Sequence, residues 1–435
     1  MTTQNSSFQA GVAYADITPP VGISLVGFAG RGPSIGIHDE LKAKAIIMTD
    51  GESNAALIAC DLLGLSAEVV GDIRSEISGR VEIPPENITI SCTHTHYGPD
   101  AYRDKSADDV MAYQANLKYK IAGAVSEAFA KMRPANIGVG WGKSYIGINR
   151  REKRPDGSIV LGQNPEGPID RQVGVLRIDD FDGNPIAILA NFAAHPVSQT
   201  GRMRTISADY PGKACEVVTQ LTNCPCLFLQ GACGNINSVI MENSHEPPRS
   251  LGTRLGCEIV RVWETIKTKP VSSLGVVSKT VSLPRITYGS EEKAEELVKS
   301  IEEQLENLRL AETPNKGSIY WAESRLKKAK EALSSWRTGE PLPKIPVELQ
   351  ALHLDDFAYA TAPAEVFNQI GSEIKERSPF SDTFFLGYTN GSIGYIPVPE
   401  AYPEGGYEVT HASQVDPEAA RIIIDGCLEL LEKLK

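Results

Sequence analysis

The chain has no run of about eighteen apolar residues, the length a helix needs to cross a bilayer. Its start, "MTTQNSSFQAGVAYADITPP", lacks the basic and apolar regions of a secretory leader. Both absences set the expectation of a soluble, cytoplasmic protein with no stable membrane insertion. Positive charge is also short: 43 Lys and Arg stand against 55 Asp and Glu, a net −12 with the charges dispersed. A phosphate backbone then finds no electrostatic footing, which argues against a nucleic-acid partner and for a small-molecule one. Aromatic residues make up 7%, without the aromatic-basic interleaving that stacks on RNA bases. The eight cysteines sit mostly in apolar or helical stretches, as buried free thiols do, so no disulfide framework is expected. "CPC" at Cys224–Cys226 has no second pair at ligand spacing and reads as a strand entrance rather than a soft-metal site.

What is present is a large core. Of 435 residues, 41% are apolar, and β-rich segments alternate with helical ones without a linker between them. "KAKAIIMT" and "AALIACDLLGL" predict a hairpin around Asp50-Gly51, followed by a helix from Ser66 to about Ser78 and the strand "NITISCTHTH". A helix is expected to start near Pro211, whose fixed φ suits a first turn. The expectation is an α/β fold, a single large domain over 1–435 with mixed β-sheets flanked by helices. Residues 290–337 differ: Ala294, Leu297, Ile301 and Leu305 share one helical face, and Ile319, Ala322, Leu326, Ala329 and Leu333 another. "AETPNKGS" breaks the two, predicting an inserted antiparallel helical hairpin that serves as packing or as a lid.

Histidine is scarce, seven in all, so two of them in "ISCTHTHYGPD" are informative. In a strand, His94 and His96 lie on one face, and catalytic groups of open α/β sheets gather beyond the carboxyl ends of strands. His195 repeats the setting, because "AILANFAAHP" is an apolar strand that delivers it just before Pro196. Each alone reads as a hydrogen-bonded structural histidine; three together read as a metal centre, since zinc takes imidazole nitrogen at neutral pH. Glu365 in "APAEVF" reads first as a first-turn helix glutamate and second as a carboxylate ligand. Asp209 in "ISADYPG" is either an N-cap or an active-site acid that orients a histidine. "GVGWGKS" fails the Walker spacing at Ile137, and "GLSAE" lacks the second Gly of a nucleophile elbow.

At these residues the sequence resembles the catalytic domain of the neutral/alkaline, non-lysosomal ceramidases. The matching pieces include "AGVAYADITPP", "GIHDELKAKAIIM", "SCTHTHYGP", "INR", "NFAAHPVS", "ISADYPG", "QGACGNIN", "APAEVF" and "GYTNGSIGYIPVPEAYPEGGYEV", in family order and outside the helical hairpin. The resemblance implies a zinc-dependent amidase with His94, His195, Glu365 and Tyr395 as metal ligands. It places His96 beside the metal as the proton carrier, and Arg150 and Tyr407 as the groups that hold substrate and oxyanion. Two departures bear on substrate. Asn237 stands where ceramidases carry a Ser, with Ser238 one position off, and the chain ends at Lys435 without their C-terminal immunoglobulin-like domain. The expected substrate is therefore a small or N-acyl compound other than ceramide. An ester hydrolase, a lyase, a carbohydrate-processing enzyme or a non-catalytic binder on the same scaffold are the competing expectations.

Overall fold

A computed structural model describes residues 8–101, 107–311 and 313–435. Two sheets stack face to face, each covered on its outer side by helices. The larger runs in the order Cys226–Gln230, Pro185–Phe192, Gln172–Asp180, Arg133–Lys143, Gln9–Asp16, Lys42–Thr49, Asn54–Cys60, Ile88–Cys92, with Lys269–Pro270 appended to Arg133–Lys143. Its middle is antiparallel, while both ends are parallel pairs. Parallel strands are covered on both faces and read as continuous apolar runs. Accordingly, all five residues of Ile88–Cys92 and all five of Cys226–Gln230 are buried. The second sheet runs Leu274–Leu283, Ile345–Leu354, Phe357–Thr361, Asp382–Leu386.

One apolar cluster joins the facing sides of the two sheets, with Ile46, Leu57 and Leu189 against Leu352, Phe357 and Phe384. A second lies under the helices of the large sheet, and a third packs Ile423, Cys427 and Leu431 of the last helix, Glu418–Leu434, on the small one. The expected hairpin is present as helices Glu291–Leu310 and Lys316–Thr338, capped by the side chains of Ser290 and Asn315. Ser66 likewise caps Ala67–Ser78. The helix expected near Pro211 begins two residues earlier, at Asp209. All eight cysteines are free thiols, seven of them buried. Among the described residues, no helix is long and apolar enough to cross a membrane.

The ends of the large sheet come together, and this is what builds the site. The buried amide of Gln230, the last residue of its strand, donates to the carbonyls of Thr93 and Ala194, 3.0 Å each, and its oxygen accepts from Ala194 N–H. Two chain segments remote in sequence, each one step short of a histidine, are thereby held at a fixed separation.

Candidate metal centre

His94 and His96 do not share a strand face as the spacing predicts. The strand ends at Cys92, and His94 sits at φ 67°, in the left-handed region. That conformation costs a non-glycine residue on the order of 1–3 kcal/mol and persists where the surroundings over-determine it. Here His94 N–H donates to Leu62 O, its Nδ1 to Leu63 O at 2.7 Å, and its ring lies 4.0 Å from that of Tyr388. His195 follows Pro185–Phe192 and is fully buried; its Nδ1 donates to Cys233 O at 2.7 Å. His96 Nδ1 donates to Gly27 O at 3.1 Å. With each Nδ1 engaged by a carbonyl, all three Nε2 atoms carry lone pairs and face one centre.

The remaining donors arrive from the second half of the chain. Glu365 does not open a helix, which starts only at Asn368. It lies in a two-residue strand whose parallel register sets Glu365 beside Tyr395. Glu365 Oε2 is 3.2 Å from His94 Nε2 and 3.1 Å from His195 Nε2. The hydroxyl of Tyr395 is 3.1 Å from His195 Nε2, and His96 Nε2 is 3.3 Å from His94 Nε2. The ligand atoms of the three histidines all lie within 4.8 Å of one another.

This donor set fits an ion of zinc's size and ligand preference. Ligands at ~2.0–2.1 Å around a tetrahedral centre stand roughly 3.4 Å apart, close to the separations here. Two imidazole lone pairs and a carboxylate facing one another repel unless a cation or a proton lies between them. Protons are disfavoured: burial, then Arg150, lowers the His195 pKa to about 4, and burial, then His94 and His195, takes His96 well below its usual value. Burial keeps the Tyr395 phenol neutral, so in this arrangement it donates to His195.

Arg150 is the nearest cation. Its Nε donates to Glu408 at 2.7 Å and its Nη1 lies 3.3 Å from His195 Nε2 and 3.2 Å from Asn237 Oδ1. Both members of the Arg150–Glu408 pair are almost fully buried, and Arg151 also reaches Glu408. Nη2 of Arg150 is buried without a hydrogen-bond partner among the described residues, a donor with an oxygen to find. The guanidinium lies over the rings of Tyr395 and Tyr407, 5.2 and 5.8 Å from their centroids. Asn237 thus points at Arg150, whereas Ser238 Oγ donates to the His195 carbonyl and supports the backbone.

Asp209 does not orient a histidine of the cluster. Its carboxylate accepts from Ser198 N and Oγ and from Tyr210 N, holding the loop that follows His195. Several members of the site carry no local signal in the sequence. Gln230 reads as the end of an apolar strand, and Tyr388 and Glu408 as ordinary core and surface residues. Arg31, whose guanidinium donates to His96 O at 2.6 Å, lies in a glycine-rich loop with no chemical signature. Gly27 in that loop, at φ 101°, has room for no side chain: a Cβ would come within 2.6 Å of the His96 ring.

A cavity of about 730 Å³ opens elsewhere, walled by the helices Asp209–Thr222 and Glu246–Trp263 and floored by Lys44, and of the candidate residues only Asp209 reaches it. The histidine centre, where imidazole, carboxylate and phenol donors converge, is the candidate site.

The model of the neutral/alkaline non-lysosomal ceramidase N-terminal family matches residues 8–224, a span that holds His94, His96, Arg150, His195 and Asp209. Glu365, Tyr395 and Tyr407 lie beyond it. Neutral ceramidases A and B of Dictyostelium discoideum are each 29% identical, over 233 and 241 residues, 49% and 51% of this chain. Those matches span about a third of the relatives' own length, 32% and 33%. The neutral ceramidase of Pseudomonas aeruginosa is 23% identical over 278 residues, 57% of this chain and 40% of its own. The crystal structure of the Pseudomonas aeruginosa neutral ceramidase superposes with a TM-score of 0.72 at 19% identity, covering 98% of this chain and 75% of that one. A ceramidase complexed with C2 gives 0.73 at 18%, with the same coverage. At such identities the structural likeness establishes the fold. Sequence over the N-terminal half and fold over nearly the whole length agree: this chain is a distant homologue in the neutral/alkaline non-lysosomal ceramidase family.

Proposed function

We propose that this protein is a zinc-dependent hydrolase of an N-acyl amide bond, with His94, His195, Glu365 and Tyr395 holding the ion. One observation carries the reading: imidazole, carboxylate and phenol donors converge at 3.1–3.2 Å beside an arginine with an unpartnered N–H. Such an ion supplies Lewis acidity, polarising a carbonyl and making water a nucleophile near neutral pH. His96, within 3.3 Å of His94 yet partly open to solvent, is the proton carrier. Its lowered pKa leaves it neutral at pH 7, so it accepts the proton that water loses as oxygen bonds the acyl carbon. The imidazolium so formed is a strong acid and returns the proton to the leaving nitrogen as the C–N bond breaks. Arg150 and Tyr407 face the carbonyl oxygen as it becomes negative, in a buried setting where fixed donors act strongly. We place the substrate among soluble N-acyl compounds rather than ceramide itself; the net charge of −12 gives an anionic membrane surface no electrostatic hold.

The test combines metal analysis of the purified protein, anomalous scattering at the zinc edge, and an N-acyl panel in oxygen-18 water. Hydrolysis places one labelled oxygen in the released acid. A zinc-loaded protein that leaves a broad panel uncut defeats the proposal.

A further inference from the structure

The helix Lys316–Thr338 has more to do than pair with its partner helix. The two are bound to each other by Ala294, Ile301 and Leu305 against Ala322, Ala329 and Leu333, which accounts for one face. Other residues of the same helix reach both segments that line the metal centre, one by close backbone approach and one by side chains. Gly317, in its first turn, lies on the glycine-rich loop: a Cβ there would meet the Ala29 carbonyl oxygen at 3.0 Å. One turn on, Trp321 packs edge-on against Tyr407, with centroids 5.5 Å apart and planes at 87°. Further along, Lys328 Nζ donates to the carbonyls of His411 and Ser413, 2.7 Å each, and so clamps the turn that follows Tyr407. The loop under Gly317 carries Phe28, whose ring stands edge-on to His96 at 5.3 Å. Phe28, Trp321 and Tyr407 are each only partly buried, so all keep an apolar surface open beside the reacting groups.

We propose that this helix roofs the substrate site, and that Trp321, with Phe28, contacts the hydrocarbon part of the substrate next to the scissile bond and sets its preferred length. This rests on the reading of the centre as an N-acyl hydrolase, from which it names the variable part of the substrate. An indole face supplies a large, rigid apolar contact that straight-chain acyl groups fill and acetyl groups do not reach.

The test uses the full chain and two matched series, N-acyl amides from acetyl to dodecanoyl and the corresponding free acids. Binding is measured by titration calorimetry and turnover separately as kcat/KM. In the unaltered protein each methylene that reaches the wall tightens binding about fourfold. Trp321→Ala flattens this dependence and weakens the best-bound chain at least about tenfold, well beyond any loss with acetyl compounds; Trp321→Phe restores most of it. Trp336→Ala, at the other end of the same helix with its indole N–H on Thr287 O, keeps the dependence and controls for damage to the hairpin. An equal loss at every chain length, or no change, overturns the proposal. So does a chain-length dependence absent from the unaltered protein. Compounds that bind with a dependence lost in Trp321→Ala but are never cut would defeat the hydrolase reading and leave the wall standing.

Discussion

The histidine centre and the 730 Å³ cavity differ in kind, and Asp209, which lines the cavity, bears on the centre only through the loop that follows His195. Charged groups around the cavity mostly have partners of opposite sign, Lys213 with Glu216 at 3.0 Å, Arg249 with Glu246 and His38 with Asp39, and one ring nitrogen, His245 Nδ1, stays unpartnered among the described residues. At the centre, lone pairs point at lone pairs and a buried guanidinium keeps an unpartnered N–H among the described residues. Folding alone gains nothing from such an arrangement. Unmet convergence of donors, rather than open volume, marks where a ligand completes the structure.

The largest break in that comparison comes from the ligands. His94→Ala is expected to bring both bound metal and hydrolysis to background, whereas Arg249→Ala on the cavity rim changes neither. Metal per chain by mass spectrometry, with activity on the same samples, decides it; equal effects at the two places would undo the distinction. Within the centre, His96→Ala should retain the metal yet lower turnover by ~10²–10⁴-fold, the usual worth of a proton carrier. Gly27→Ala should give a milder form of the same defect, since its Cβ displaces the His96 ring and touches no ligand.

Stability sharpens the contrast further. Arg150→Met leaves Glu408 buried with Arg151 as its remaining partner, and about 3 kcal/mol of destabilisation is expected in a denaturant titration. Arg249→Ala removes an exposed pair and should leave the midpoint where it was. The smallest effect is in pH. Because the folded-state pKa of His195 lies near 4, below the unfolded value of about 6.5, the unfolded chain binds more protons as the pH falls through that interval. Stability of the metal-free protein is therefore complete above that window and falls as the pH drops through it, by about 2 kcal/mol at pH 5 from His195 alone. The His195→Asn variant isolates this contribution, because its side chain does not titrate there. A melting profile in the variant as steep in pH as that of the unaltered protein would assign the acid sensitivity elsewhere.

How much was legible varied with distance along the chain. Strands and helices followed local periodicity closely, and the segments expected to start at Ser66 and at 290 do so, with Ser66 and Ser290 as the caps. His94, His96 and His195 stood out because histidine is rare and because each follows an apolar run. The shared strand face expected for the first two does not form: a left-handed turn beyond the strand aims them together instead. Glu365 read first as an ordinary helix-start glutamate and only second as a ligand, and Tyr395 entered through resemblance alone; their parallel register pairs residues far apart in the chain. Gln230, Tyr388, Glu408 and Trp321 had no mark at all, since each matters only through a partner remote in sequence.

By itself, then, the sequence determined which segments become strands and helices, that residues 290–337 form a helical pair, and which scarce side chains are available for chemistry. Those follow from periodicity, capping and composition, which act over a few residues. Tertiary structure alone decided that the two ends of the large sheet meet through Gln230, that Asp209 serves a loop instead of a histidine, and that the hairpin reaches Tyr407. Packing of sheet on sheet sets those distances, and no short window of sequence contains both sides of the contact.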